Sequence, residues 1–179
     1  MKNLFNLIGF QVSWWLCILG TNYQFSYIGP LSMLVFLLIH FLYYRVDKKE
    51  LILILLVLLI GTLIDTLLAY SGMIDYKGGY TSSILIAPLW ITAMWAGFAS
   101  TVNHSMAWLK GKPLITFLMG LFAGPLAYFT AEKFGVIRIN GPTIICTAAL
   151  AIIWGFSLRF IFILNKNLKI PDNLKKKNK

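Results

Sequence analysis

The chain has 179 residues and a formal net charge of +10, yet only 12% of them are charged and 59% are hydrophobic, with a mean hydropathy of +0.77. A soluble domain of this length keeps too much of its surface exposed to hide that much apolar area. The composition therefore excludes a soluble globular fold. With no soluble domain to present the scattered lysines, nucleic acid is excluded as a partner.

Six apolar blocks follow one another, at 4–19, 25–44, 51–72, 84–109, 114–131 and 143–164. Each is near the ~20 residues that cross a bilayer core. The first follows Lys2 as a signal peptide would, but Gln11, Ser13 and Trp14-Trp15 interrupt it and no small-x-small site follows. It reads as a retained span. Gly9, Ser13 and Gly20 form its small face, with Asn6 nearby and Gln11 opposite. The second block sorts no face, which leaves the direction of His40 open. In the third, Gly61, Asp65, Ala69 and Gly72 share one side, while Ile60, Leu63, Leu67 and Tyr70 take the other.

At 100° per residue the fourth block also divides. Ile91, Trp95, Phe98, Val102, Met106 and Leu109 make a bulky strip suited to lipid, and Trp108 suits the interfacial belt. Ala93, Gly97, Ser100, Thr101 and His104 make a small strip suited to helix contact, with Trp90 beside it. The fifth block carries Gly120, Gly124, Ala127 and Ala131 on one strip. In the sixth, Ala148, Gly155 and Arg159 align opposite Leu150, Trp154 and Ile161. Pro113 and Pro142 begin spans, whereas Pro88 and Pro125 are expected to kink them and free the carbonyls of Ile84 and Leu121.

Basic residues set the orientation. With a cytoplasmic N-terminus, Lys2, Arg45, Lys48, Lys49, Lys110, Lys112 and six tail lysines face the cytoplasm; Lys77, Lys133 and Arg138 face away. That asymmetry predicts an all-α polytopic membrane protein, a bundle of six transmembrane helices with both termini cytoplasmic, spanning 1–164. A basic tail, 165–179, is then either solvated or drawn to anionic membrane lipids.

Three ionisable residues sit on small-residue faces. Counted by helix rise, His104 and Arg159 lie about 8 Å and His40 about 6 Å from the cytoplasmic edge. They are placed to meet at one level with Asn103 and Asn6. Asp65 lies about 21 Å from that edge, nearer Trp90, Tyr128 and Glu132. Buried charges of this kind are candidate sites by default. The inner group suits an anionic head, with Arg159 as a planar donor fork, and Asp65 suits a cation or a proton. Each also has a plain alternative: a snorkelling Arg159, or His104 and Asp65 in bonds between helices. Cys17 and Cys146 fall inside spans, and with no Cys/His cluster the sequence offers no metal-ligand set and no cofactor motif.

The segments "GTLIDTLL", "PLWITAMWAGFASTVNHSMAWL" and "GPLAYFTAEKFGVI" resemble the bacterial membrane-protein family labelled domain of unknown function 2878. The resemblance implies a multi-pass protein of the bacterial inner membrane. It carries no catalytic residues, and implies a setting close to lipid chemistry. Three functions stay open: binding a lipid-like or amphipathic molecule, or assisting its modification; transport or proton coupling through Asp65; and scaffolding a membrane enzyme.

Overall fold

The computed structural model describes residues 2–80 and 86–170. The start of the fourth block at 84–85, with the Ile84 carbonyl, and the tail beyond residue 170 lie outside the described residues.

Six α-helices carry the architecture: α1 (Lys2–Asn22), α2 (Ile28–Tyr44), α3 (Lys48–Tyr70), α4 (Leu89–Thr101), α5 (Pro113–Lys133) and α6 (Thr143–Asn167). Four of them, α1, α3, α5 and α6, are long and apolar enough to cross a membrane, whereas α2 is a shorter apolar helix of 17 residues. Their outer faces are apolar without interruption by packing: Leu42, Phe122 and Ile144 are 81%, 70% and 85% exposed. Such a surface belongs in lipid, and the chain is a helical membrane protein.

Each helix reverses the direction of the one before. The Tyr44 hydroxyl at the end of α2 donates to the Lys2 carbonyl at the start of α1. His104, just past α4, meets Glu50 at the start of α3, and Asn165 near the end of α6 donates to Asn103. Helix termini therefore gather at one end of the bundle. At the opposite end two short strands, β1 (Ile74–Tyr76) and β2 (Ile137–Ile139), pair antiparallel with Asp75 opposite Arg138. They tie the segment after α3 to the segment after α5.

The fourth block departs from expectation. It is not one long helix: α4 has 13 residues, about 20 Å of rise, followed by turns and one 3-10 turn at Ala107–Leu109. Pro88 is the N-cap of α4 and kinks nothing, while Pro125 does lie inside α5. The strip expected to face lipid is largely interior, since Ile91, Trp95, Val102 and Leu109 are all buried. The physical reason is position. Helix α4 packs against α1, α2 and α3, and Trp95 stacks on Trp154 of α6 with centroids 4.6 Å apart. A central helix has no lipid side for bulky residues to occupy. On α6, likewise, Leu150 and Ile161 are buried although they lie opposite the small strip.

Small residues set the close approaches. A Cβ added at Gly61 would run into the Trp95 ring, and one at Gly120 into the Trp154 backbone. The glycines of α5 thus seat α6 within the chain. Cys17 and Cys146 are buried and unpaired.

Candidate functional site

Two buried polar centres share one face of α3. Glu50 and Asp65 are fifteen positions apart, which places them within about 60° of each other and about 22 Å apart along the axis. Between them Ile54, Val57 and Gly61 continue the same buried stripe.

The outer centre is a carboxylate cage. Asp65 is 1% exposed. Its Oδ1 accepts from the hydroxyls of Tyr128 at 2.5 Å and Tyr76 at 2.6 Å, and its Oδ2 accepts from Trp95 Nε1 at 2.6 Å. The donors come from α5, β1 and α4, so the strand pair and two helices converge on one side chain. Three donors on an acceptor-only group suit a carboxylate. No lysine or arginine among the described residues forms an ion pair with it. Tyr76 lies outside the helices; burial, then the adjacent Asp65 charge, pushes its hydroxyl well above the ordinary tyrosine range. It is a donor at every working pH.

A cavity of about 410 Å³ opens against this cage, within the range of small-molecule sites. Asp65, Tyr76 and Tyr128 form its polar end, and Trp14, Trp15, Trp90, Met94, Phe98 and Trp154 are among its apolar walls. Trp90 donates its indole N–H to the Lys77 carbonyl, which leaves the ring as wall. Gln11, which the helical wheel sets apart from the small face, also lines this cavity. The lining runs along α1 and α5, two helices that do not pack closely on each other. Glu132 stays apart from the cage and accepts from the Ile139 backbone.

The inner centre joins His40, His104 and Glu50, all buried. His104 Nε2 lies 2.9 Å from Glu50 Oε1 and His40 Nε2 lies 3.6 Å from the same oxygen. Their donor atoms all lie within 4.8 Å of one another, close enough to hold a metal ion. The imidazole planes are nearly perpendicular, with centroids 4.7 Å apart, and the Tyr44 ring packs on both. His40 Nε2 makes no hydrogen bond, its nearest acceptor being that Glu50 oxygen. Asn6 of α1 holds the group from behind. Its amide donates to the Ser100 carbonyl and touches His40 Nδ1 at 3.5 Å, while its oxygen accepts from the Ser105 backbone and hydroxyl.

His40 and His104 thus come together, with Asn6 beside them. Arg159 does not join them. It lines a separate groove between α3 and α6 with Val57, Gly61 and Phe160, because α6 approaches the inner end through Asn165 instead. The Asn103 oxygen accepts from Asn165 at 2.6 Å, while its buried amide nitrogen makes no hydrogen bond. Thr101 donates back to the Phe98 carbonyl and reaches Met106 Sδ, facing neither centre. Glu50 escapes the sequence reading because it stands one residue before the third apolar block. A signal was present: it continues the Asp65 stripe about four turns earlier on the same face.

Fold and sites together define a helical membrane protein with two buried polar centres, one opening on an aromatic cavity. The chain belongs to the family described as protein of unknown function (DUF2878), which matches residues 3–160. No curated protein and no solved structure matches it.

Proposed function

We propose that this chain is a multi-pass protein of the bacterial inner membrane that takes a lipid-like, amphipathic small molecule into the cavity beside Asp65, holding it or presenting it to a membrane enzyme for modification. The supporting observation is the pairing of apolar aromatic walls with the convergent polar group of Asp65, Tyr76 and Tyr128. Amphipathic ligands need both: burial of the chain drives entry, and the polar end fixes which way round it lies. Exposed lining residues on α1 and α5, Trp15 and Leu126 among them, give the cavity a side facing the surrounding bilayer.

The reading keeps six crossings and cytoplasmic termini. Basic residues near the inner centre (Lys2, Arg45, Lys48, Lys49) support that orientation. Asp65 replaces the His104/Arg159 level as the ligand-fixing group, since the cavity reaches Asp65 and Arg159 lies in another groove. Proton-coupled transport is the weaker reading, because three fixed donors hold Asp65 in one acceptor role.

Native mass spectrometry of the detergent-purified protein tests the proposal. Wild type is expected to carry adducts of lipid mass, and Ala127→Trp, which fills the cavity from α5, is expected to lose them. An unchanged adduct profile in a folded Ala127→Trp protein overturns it.

A further inference from the structure

We propose that His40, Glu50 and His104 form a binding site for a divalent transition-metal ion, zinc or iron(II), at the inner end of the bundle.

The donor set is chemically selective. Two imidazole nitrogens and a carboxylate oxygen suit zinc and iron(II), and disfavour calcium or magnesium, which prefer all-oxygen shells. The spacing is right as well. Ligands about 2.05 Å from a tetrahedral ion stand roughly 3.3 Å from each other, and the observed Nε2 to Oε1 separations of 2.9 Å and 3.6 Å straddle that value. All three donor atoms lie within 4.8 Å of one another, so side-chain shifts of about 1 Å bring them to that spacing.

A second observation points the same way. His40 is fully buried, and its Nε2 is aimed at Glu50 without a hydrogen bond to anything. The fold brings a polar atom out of water and leaves it 3.6 Å from the Glu50 carboxylate, beyond hydrogen-bond reach, where among the described residues two other ligand atoms converge. Glu50 is placed with similar purpose. It occupies the third position of α3, where Asp47 caps its backbone N–H. A glutamate there ordinarily reaches back to the cap residue's own N–H. Here the carboxylate turns inward to His104 instead. Among the described residues its ion-pair partners are the two imidazoles alone, so with both neutral the buried cluster carries one negative charge. A divalent cation reverses that imbalance.

Asn6 opposes the ion to a limited extent. Metal on His40 Nε2 puts the ring proton on Nδ1, facing the Asn6 amide, where a carbonyl or carboxylate usually stands. That contact is 3.5 Å, the longest of the four Asn6 makes, and the other three hold Asn6 without it. With Tyr44 closing over both rings, the site is a structural clamp joining α2, α3 and the turn after α4, and the second Glu50 oxygen is the available fourth donor.

The full chain, carrying a tag without histidine, is purified in detergent and its metals counted by plasma mass spectrometry. About one zinc or iron per chain is expected, as a site formed with the fold retains its ion. Co²⁺ added to chelator-stripped protein is expected to give a saturable ligand-field spectrum, and Zn²⁺ a rise in Tm. Glu50→Gln and His40→Ala are expected to weaken Co²⁺ binding by more than about 100-fold, since first ligands matter at least as much as their outer-shell supports. Ser32→Ala, on α2 about two turns before His40 and bonded to Ser13 instead, is expected to leave binding unchanged. Glu50→Cys adds a readout that no packing role supplies, a thiolate-to-cobalt charge-transfer band. Wild type with less than about 0.1 ion per chain, no saturable Co²⁺ spectrum and no Tm response to Zn²⁺ overturns the proposal, whatever the variants do.

Discussion

Trp95 Nε1 donates to Asp65 Oδ2 at 2.6 Å, and the indole reaches that position by lying flat over Gly61, one turn earlier on α3. The same ring stacks on Trp154 at an interplanar angle of 9°. Helices α3, α4 and α6 are thereby locked through one side chain, and the absence of a Cβ at residue 61 is a condition of the lock. Gly61→Ala is expected to destabilise the protein by about 1–3 kcal/mol, as overpacking a tight core does. Thermal unfolding in detergent measures it. Full stability in Gly61→Ala means the indole has other room.

Tyr76 gives a pH dependence with a definite sign. Its hydroxyl is held protonated in the folded state by burial and then by the Asp65 charge, above the ordinary value of 10.0. In the unfolded chain it ionises near pH 10. Its contribution is therefore complete below pH 10 and falls as the pH rises past it, because only the unfolded state then releases the proton. Stability measured from pH 8 to 11.5 is expected to decline at the alkaline end, and Tyr76→Phe is expected to flatten that decline. Parallel curves for the two proteins reject the assignment.

How much of this was readable beforehand depends on the kind of signal each residue leaves. Asp65 and His104 stand on stripes of small residues, so their burial follows from periodicity. His40 stands in a uniformly apolar helix, where no contrast marks a face, yet it is fully buried. Trp95 misleads because size alone argues for lipid, while α4 is surrounded by helices and the indole N–H needs an acceptor that lies 30 residues away in α3. Tyr76 belongs to a three-residue strand whose pairing with β2 depends on the α3 and α5 ends meeting, a tertiary fact with no local trace. Glu50 looks like an interfacial charge until the His pair is seen beside it.

Asn6 anchors the first helix to the inner centre. Its side chain makes two bonds to Ser105 and one to the Ser100 carbonyl, at 2.7 Å, 3.2 Å and 3.2 Å. Asn6→Leu takes two bonds from half-buried Ser105 and leaves the carbonyl of fully buried Ser100 without its side-chain donor, at about 1–3 kcal/mol for a buried group left unpaired. Hydrogen exchange of the Ser105 amide is expected to accelerate more than that of α5 amides. Equal acceleration throughout the chain instead marks a global loss.

The Asp65 cage predicts a non-additive pair. Asparagine at position 65 keeps one carbonyl oxygen, which has two lone pairs and can accept from both tyrosine hydroxyls. Its amide group then faces the Trp95 indole, donor against donor. Asp65→Asn is therefore expected to lose about 1.5–3 kcal/mol, the worth of a hydrogen bond to a charged group. Trp95→Phe removes the opposing N–H while keeping an aromatic ring against Trp154. In the Asn background it is expected to cost less than it does in wild type, with a coupling of about 1 kcal/mol or more, as for residues in direct contact. A double-mutant cycle on unfolding free energies measures that coupling. Were the two changes simply to add, the indole–carboxylate bond would not be what joins α4 to α3, and the packing of Trp95 on Gly61 and the Thr62–Thr92 hydrogen bond would join them without it.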